Sequence, residues 1–221
     1  MNILDQIGIQ QWRLRDRPSI SVADTKTVDP TAQDELAAVQ TRDYSWDMLE
    51  QFFAQDECDS CKQGGSVLGE GDRDADWLFL LDAPSTDAIA HCNVISGRAR
   101  TLYQSILTAL RLQVEQVYTT SVFKCAPSQD VLLNASCQEV LGSQIKLLKP
   151  KVIVCLGEFS AQSLIKSNDD LAILRQQNQK CSYTKTSVIV SHSLLDLLQT
   201  PSLKSQAWSD FKRARRAVLR D

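Results

Sequence analysis

The chain carries no excess of positive charge. Its 221 residues hold 24 lysines and arginines against 27 aspartates and glutamates, a formal net charge of −3. A general electrostatic hold on nucleic acid is thereby excluded, and any contact with phosphates has to be local. Long apolar runs are missing too, since no segment approaches the roughly 18 residues that suggest a membrane-spanning helix. The first residues, "NILDQIGIQQWRLRDRP", contain neither a basic leader nor an unbroken apolar stretch of the kind that directs secretion. The expected location is the cytoplasm.

An even set of cysteines is also lacking. Seven thiols in a reducing compartment point to free or metal-bound side chains rather than to a disulfide framework. Cys58 and Cys61, in "ECDSC", stand at metal-ligand spacing. The second close C-x-x-C pair that a zinc ribbon would show is absent. Instead Cys125 ends an apolar run, and Cys137 follows near the start of a helical stretch. Four thiolates from separate loops can meet at one edge of a sheet as an iron–sulfur or zinc site. Four unrelated buried cysteines are the alternative.

What is present is a globular composition, 43% apolar, arranged in alternating segments. Residues 16–42 are small, polar and without aromatic side chains, and read as a linker following a short N-terminal peptide, 1–15. Residues 43–221 read as one folded domain. "YSWDMLEQFFAQ" has helical spacing, with Trp46, Leu49 and Phe53 on one side and Ser45 as N-cap. Four apolar runs then follow: "DWLFLLDAP" (76–84), "QVYTTSVFKC" (116–125), "KVIVCLG" (151–157) and "SVIVSHS" (187–193). Helical segments separate them: 96–112 with Leu102, Ile106, Leu107 and Leu110 inward, 135–150, "EFSAQSLIK", and 203–220 at the end. Continuous apolar strands alternating with helices predict an α/β domain, a three-layer α/β/α sandwich around a central four-stranded parallel sheet. Ligands of such sheets sit at the carboxyl ends of the strands.

The motifs at those ends carry a resemblance. "CDSC", "VLGEGDRDADWLFLLDAPSTD", "SGRA", "VYTTSVFKCAP", "LLKPKVIVCLGEFSAQSLI" and "SHSLL" resemble, in order, the family 4 uracil-DNA glycosylases. The resemblance implies that fold, and a 4Fe-4S cluster on Cys58, Cys61, Cys125 and Cys137, with zinc as the alternative. Cys92, Cys155 and Cys181 fall outside the ligand set, and Cys155 reads as a small core residue.

The same resemblance exposes what is missing from the chemistry. Glycosylases of this kind flip uracil into a pocket, stack it on an aromatic ring, read its edge with an amide and stabilise the leaving anion with a histidine. The first motif here is "LDAPS", which keeps Asp82 and Pro84 but has Leu81 and Ser85 in place of glycines. The stacking aromatic falls on Ile95, which has no π-face, and the base-reading asparagine on Ser121, which is too short for a bidentate contact. Of the reactive side chains Asp82 and His192 remain, and Ser193 replaces the proline after the histidine. They read as remnants, so that the expectation is an inactive glycosylase fold with no catalytic residues.

A function is then expected from the N-terminus. "NILDQIG" suits a short helix capped by Asn2 and ended by Gly8, and "WRLR" alternates Trp12 and Leu14 with Arg13 and Arg15. An apolar edge with a tryptophan anchor on a loose linker suits a peptide that docks in a partner's groove. "LDQIGIQQWRLRDRP" resembles the N-terminal arm of the psi subunits of bacterial DNA polymerase III. That resemblance implies a non-catalytic accessory subunit of the clamp loader. Leu4, Ile7, Gly8, Ile9, Trp12, Arg13, Leu14 and Arg15 would dock on the collar of the clamp-loader ATPase, and the body would bind the chi subunit. Through chi it would reach single-stranded-DNA-binding protein and DNA. A divergent glycosylase acting on damaged bases is the alternative. The basic cluster Lys212, Arg213, Arg215 and Arg216 on the last helix reads as a solvated face that complements the helix dipole.

Overall fold

A computed structural model describes residues 44–54, 65–126 and 135–219. The N-terminal peptide, the linker, Cys58 and Cys61 lie outside these residues. The first described element is α1 (Trp46–Ala54), which opens where Ser45 Oγ accepts the Met48 N–H at 3.2 Å, the expected cap. Next come β1 (Glu70–Gly71), β2 (Trp77–Leu81), α2 (Thr86–Ala90) and α3 (Gly97–Leu110). A short 3-10 turn leads into β3 (Val117–Ser121), followed by α4 (Ala135–Leu148), β4 (Val152–Leu156), α5 (Glu158–Ile165) and α6 (Leu171–Gln176). Then β5 (Gln179–Lys180), β6 (Ser187–Ser191), α7 (Leu194–Gln199) and α8 (Lys204–Val218) complete the domain.

The expected parallel sheet is present, with strands ordered β3-β2-β4-β6. It is wider than expected, because β1 and β5 pair antiparallel on its two edges and make six strands. Two residues show no alternation, so neither edge strand leaves a mark in the sequence.

Each inner strand is apolar on both sides because both faces are covered. Phe79, Val154 and Ile189 face α3, α7 and α8, where Leu107, Leu197 and Phe211 complete one core. Leu80, Ile153 and Val190 face the opposite layer, packing on Leu141 and Ile145 of α4, Leu164 of α5 and Leu174 of α6. Of the residues expected inward on α3, Leu107 and Leu110 are buried. Leu102 and Ile106 are only half covered, and Tyr103 is the third fully packed residue. Its hydroxyl is 2.7 Å from Thr119 Oγ1 across the interface. Among the described residues, no helix is long and apolar enough to cross a membrane.

Register aligns the carboxyl ends. Ser121, Leu81, Leu156 and Ser191 are successive partners across β3, β2, β4 and β6, and so share one level of the sheet. The candidate site is built on that level.

Candidate active site at the carboxyl ends of the strands

A cleft of about 450 Å³ opens above this level, between the ends of β2 and β4 and the starts of α3 and α7. Leu81, Val94, Ile95, Leu156 and Leu194 form its apolar wall, while Asp82, Ser85, Ser96, Arg98 and Ser193 supply its polar groups. Two of the serines have local duties. Ser85 Oγ accepts the Ala88 N–H at 3.1 Å and caps α2, and Ser193 Oγ accepts the Asp196 N–H at 3.1 Å and caps α7. The serine that stands in place of proline after the histidine is therefore a helix start.

Asp82 is the acidic group of the cleft. Its Oδ1 accepts the Ser160 N–H at 2.7 Å in the first turn of α5. Gly157 makes this seat possible: its φ is +141°, and a Cβ there would lie 2.7 Å from both carboxylate oxygens. Burial raises the pKa of Asp82 above the ordinary aspartate value, opposed by the Ser160 hydrogen bond and reinforced by the negative charges of Asp196 and Glu158.

Ile95 is buried in the cleft wall, and its carbonyl accepts Arg100 Nη1 at 3.1 Å. Ser121 lies on the same face of the sheet as Leu81, at the same level. It is fully buried, and its Oγ is the one buried side-chain polar atom with no hydrogen-bond partner among the described residues. An orphaned hydroxyl of this kind is uncommon, because leaving it unpaired costs about 1–3 kcal/mol. His192, also buried, is not among the residues lining the cleft, and its Nε2 lies 3.2 Å from Gln206 Oε1 on α8. The structure thus brings Asp82 and Ile95 into one cleft and sets Ser121 and His192 beside it.

Three features of the site escape sequence reading. Gly157 and Ser160 form the seat of Asp82, and a glycine at the strand-to-helix turn in "CLGEFS" is the only local sign of it. Lys124 is fully buried, its ammonium 2.6 Å from Thr120 Oγ1, from the Ser121 carbonyl and from Gln144 Oε1. These three acceptors are among the groups that satisfy its charge. Phe123 and Phe159 stack with centroids 5.2 Å apart at 8°. Nothing in "SVFKC" distinguishes the buried lysine from an exposed one. On α8, Arg213 is not simply solvated as expected, since it donates to the carbonyls of Arg175 and Gln177 and faces Asp210.

Cys125, just after β3, and Cys137, in the first turn of α4, are both buried. Among the described residues no group of three or more histidine, cysteine or acidic side chains is arranged to hold a metal. Cys155 is a core residue as expected, and burial pushes its thiol pKa well up. Cys92 is exposed.

The chain is 29% identical over 178 residues to a type-4 uracil-DNA glycosylase of Archaeoglobus fulgidus, which covers 76% of this chain and 89% of the relative. A type-4 uracil-DNA glycosylase of Sulfurisphaera tokodaii is 27% identical over 73% of this chain and 80% of its own length. A third, of Thermotoga maritima, is 32% identical over 41% of this chain and half of the relative.

These relatives overturn two expectations. A psi-like, non-catalytic subunit docking on the clamp-loader collar and bridging to chi is not what the chain resembles over most of its length. That expectation rested on about fifteen N-terminal residues, Leu4 to Arg15 among them, which lie outside the described residues. The expectation of an inactive fold rested on Ile95 and Ser121, and falls with it, because relatives matched over about three quarters of the chain are named as enzymes. The model of the Uracil DNA glycosylase superfamily matches residues 68–212, and the chain belongs to that superfamily.

Proposed function

We propose that the chain is a divergent type-4 DNA glycosylase, which hydrolyses the N-glycosidic bond of uracil or a related damaged base extruded into the cleft. The domain at 43–221 carries the activity. The observation that carries this reading is Asp82: a carboxylate on the wall of an apolar cleft, fixed by the N-terminal turn of α5, with a pKa raised by burial. A base of raised pKa is better matched to proton transfer near neutrality than an ordinary aspartate. In the reaction, water attacks C1′ of the deoxyribose as the bond from C1′ to the base nitrogen breaks. Asp82 accepts the proton of the water, and the base leaves as an anion that takes a proton from solvent. The apolar wall excludes bulk water, which strengthens the field of Asp82 on the developing positive charge of the sugar.

Ile95 and Ser121 define how this site diverges. An aliphatic side chain replaces ring stacking with dispersion contact alone, and the hydroxyl of Ser121 offers one hydrogen-bonding group in place of an amide's two. Both changes loosen discrimination for uracil, so the substrates expected are uracil and other deaminated bases, hypoxanthine and xanthine.

Cys58, Cys61, Cys125 and Cys137 are the residues that would hold a 4Fe-4S cluster. The fit rests on donor chemistry: four thiols form a soft ligand set, and the two described members are buried, as cluster thiolates are. If bound there, such a group would cross-link the segment that holds Cys58 and Cys61 to Cys125, after β3, and to Cys137, at the start of α4. Zinc on the same four thiols is the second occupant, and colour separates the two. Serine at any of the four bleaches an iron–sulfur protein, while serine at Cys92 does not.

The decisive experiment is single-turnover base release from single- and double-stranded DNA carrying uracil, hypoxanthine or xanthine. Excision of at least one is expected, lost by about 100-fold or more in Asp82→Asn. Ile95→Phe together with Ser121→Asn should raise the uracil rate. A folded, metal-loaded protein that releases none of the three bases overturns the proposal.

A further inference from the structure

A chain of hydrogen bonds runs behind the cleft from α6 through α8 to the end of β6. Asp210 of α8 is buried, and its Oδ2 accepts Arg175 Nε at 2.9 Å and Ser191 Oγ at 3.1 Å. Arg175 Nη2 is 2.8 Å from the same carboxylate, and Arg213 Nη1 lies 3.6 Å from its other oxygen. The guanidinium of Arg175 is thereby fixed, and its Nη1 donates to Gln206 Oε1 at 2.7 Å. The same oxygen is the atom that His192 Nε2 approaches at 3.2 Å.

This geometry settles two assignments. A guanidinium only donates, so the Gln206 atom facing Arg175 is the carbonyl oxygen and not the amide nitrogen. An oxygen only accepts, so the His192 nitrogen facing it carries the proton. A singly protonated ring is thereby held as the Nε2–H tautomer, with Nδ1 as its lone-pair nitrogen. Among the described residues Nδ1 has no hydrogen-bond partner.

We propose that Gln206, anchored by Arg175, is a positioning residue for His192, fixing the orientation of the imidazole and the site of its proton beside the cleft. Its bearing on catalysis rests on the glycosylase function proposed above, while the tautomer assignment does not. Gln206 does not line the cleft, and its bond to the histidine is its link to it. Its side chain is exposed on α8, so replacing it leaves the core intact.

The chain has two histidines, which makes the test clean. His91 is exposed, with Nδ1 2.8 Å from the Asp87 carbonyl, and serves as the internal reference. In protein labelled with ¹⁵N at the imidazoles, His192 should show a protonated Nε2 whose hydrogen exchanges with water at least about tenfold more slowly than that of His91. Gln206→Leu, with an unchanged melting temperature, should abolish that protection. Gln206→Glu, which keeps an acceptor oxygen, should retain it. Whatever His192→Ala alone does to base release, Gln206→Leu added to it should change nothing further. A His192 protonated at Nδ1, or ring-proton exchange that Gln206→Leu leaves unchanged, overturns the proposal. Absence of base release from the unaltered protein would count against the glycosylase and leave the imidazole spectra to decide on Gln206.

Discussion

Asp82 is pulled in two directions. Burial favours its neutral form, and the N–H of Ser160 favours the carboxylate, with burial the larger effect. A carboxyl whose pKa is higher in the folded than in the unfolded chain binds its proton more tightly when folded. Its contribution to stability is therefore full below the ordinary aspartate value of 3.8 and is lost as pH rises through the raised value. Most carboxylates behave oppositely. Asp82→Asn keeps an oxygen for Ser160 and never ionises, so it should match the unaltered protein at acidic pH and melt higher near neutrality. Scanning calorimetry across that range checks the sign, and a variant that melts lower at neutral pH would show that the Ser160 bond outweighs burial. Loss of activity with gain of stability is the signature of a strained working group. Asp82 itself was legible in "LDAPS" because it sits at a strand end. Its seat was not, since Ser160 is 78 residues further along the chain. Lys124 was hidden for the same reason: one of its acceptors, Gln144, comes from a different element.

At the scale of elements, each of the four inner strands lies where an apolar run stood, with ends shifted by a few residues. The runs were legible because both faces of a parallel sheet are covered, which leaves no polar position to interrupt them. The short helices α2, α6 and α7 were not, because five or six residues hold less than two turns of periodicity. Helix ends are set by single backbone positions, and one of these can be improved. Arg111 closes α3 in the left-handed region, φ 59° and ψ 38°, while its N–H and that of Leu112 satisfy the last carbonyls. A side chain there costs about 1–2 kcal/mol, and a glycine costs about 0.5–1 kcal/mol in unfolded-chain entropy. Arg111→Gly should thus stabilise the domain by up to about 1 kcal/mol, read as a higher urea midpoint at unchanged slope. An unchanged or lower midpoint would mean that the exposed arginine has a packing role.

For the whole molecule, the net charge of −3 shapes how a nucleic acid is approached. Among the described residues the cleft has a single cationic side chain in its lining, Arg98 in the first turn of α3. Binding of DNA should therefore depend on salt only weakly, with a logarithmic slope of about −2 to −4 rather than the steeper values of strongly basic binders. Arg98→Ala should weaken binding alike for all sequences and make that slope shallower by about one. A slope that Arg98→Ala leaves untouched would place the phosphate contacts elsewhere, on α8 for instance. The apolar runs foretold the strands, and the candidate cleft lies at their carboxyl ends, where ligands of such sheets are expected. The network behind His192 was not legible in those runs, because Arg175, Gln206 and Asp210 meet only once α6 and α8 are packed on β6.

The two edge strands matter for solubility more than for catalysis. A parallel sheet of four apolar strands, left open, would offer β3 and β6 as templates for a second copy of the chain. β1 and β5 occupy those edges in the antiparallel sense and stop after two residues, too short to seed another strand. Gly71 draws β1 in so closely that a Cβ would sit 2.1 Å from the Val117 carbonyl oxygen. A bulkier residue at 71 would lift this cover off, and the first consequence would be clumping at concentrations where the native chain stays dispersed.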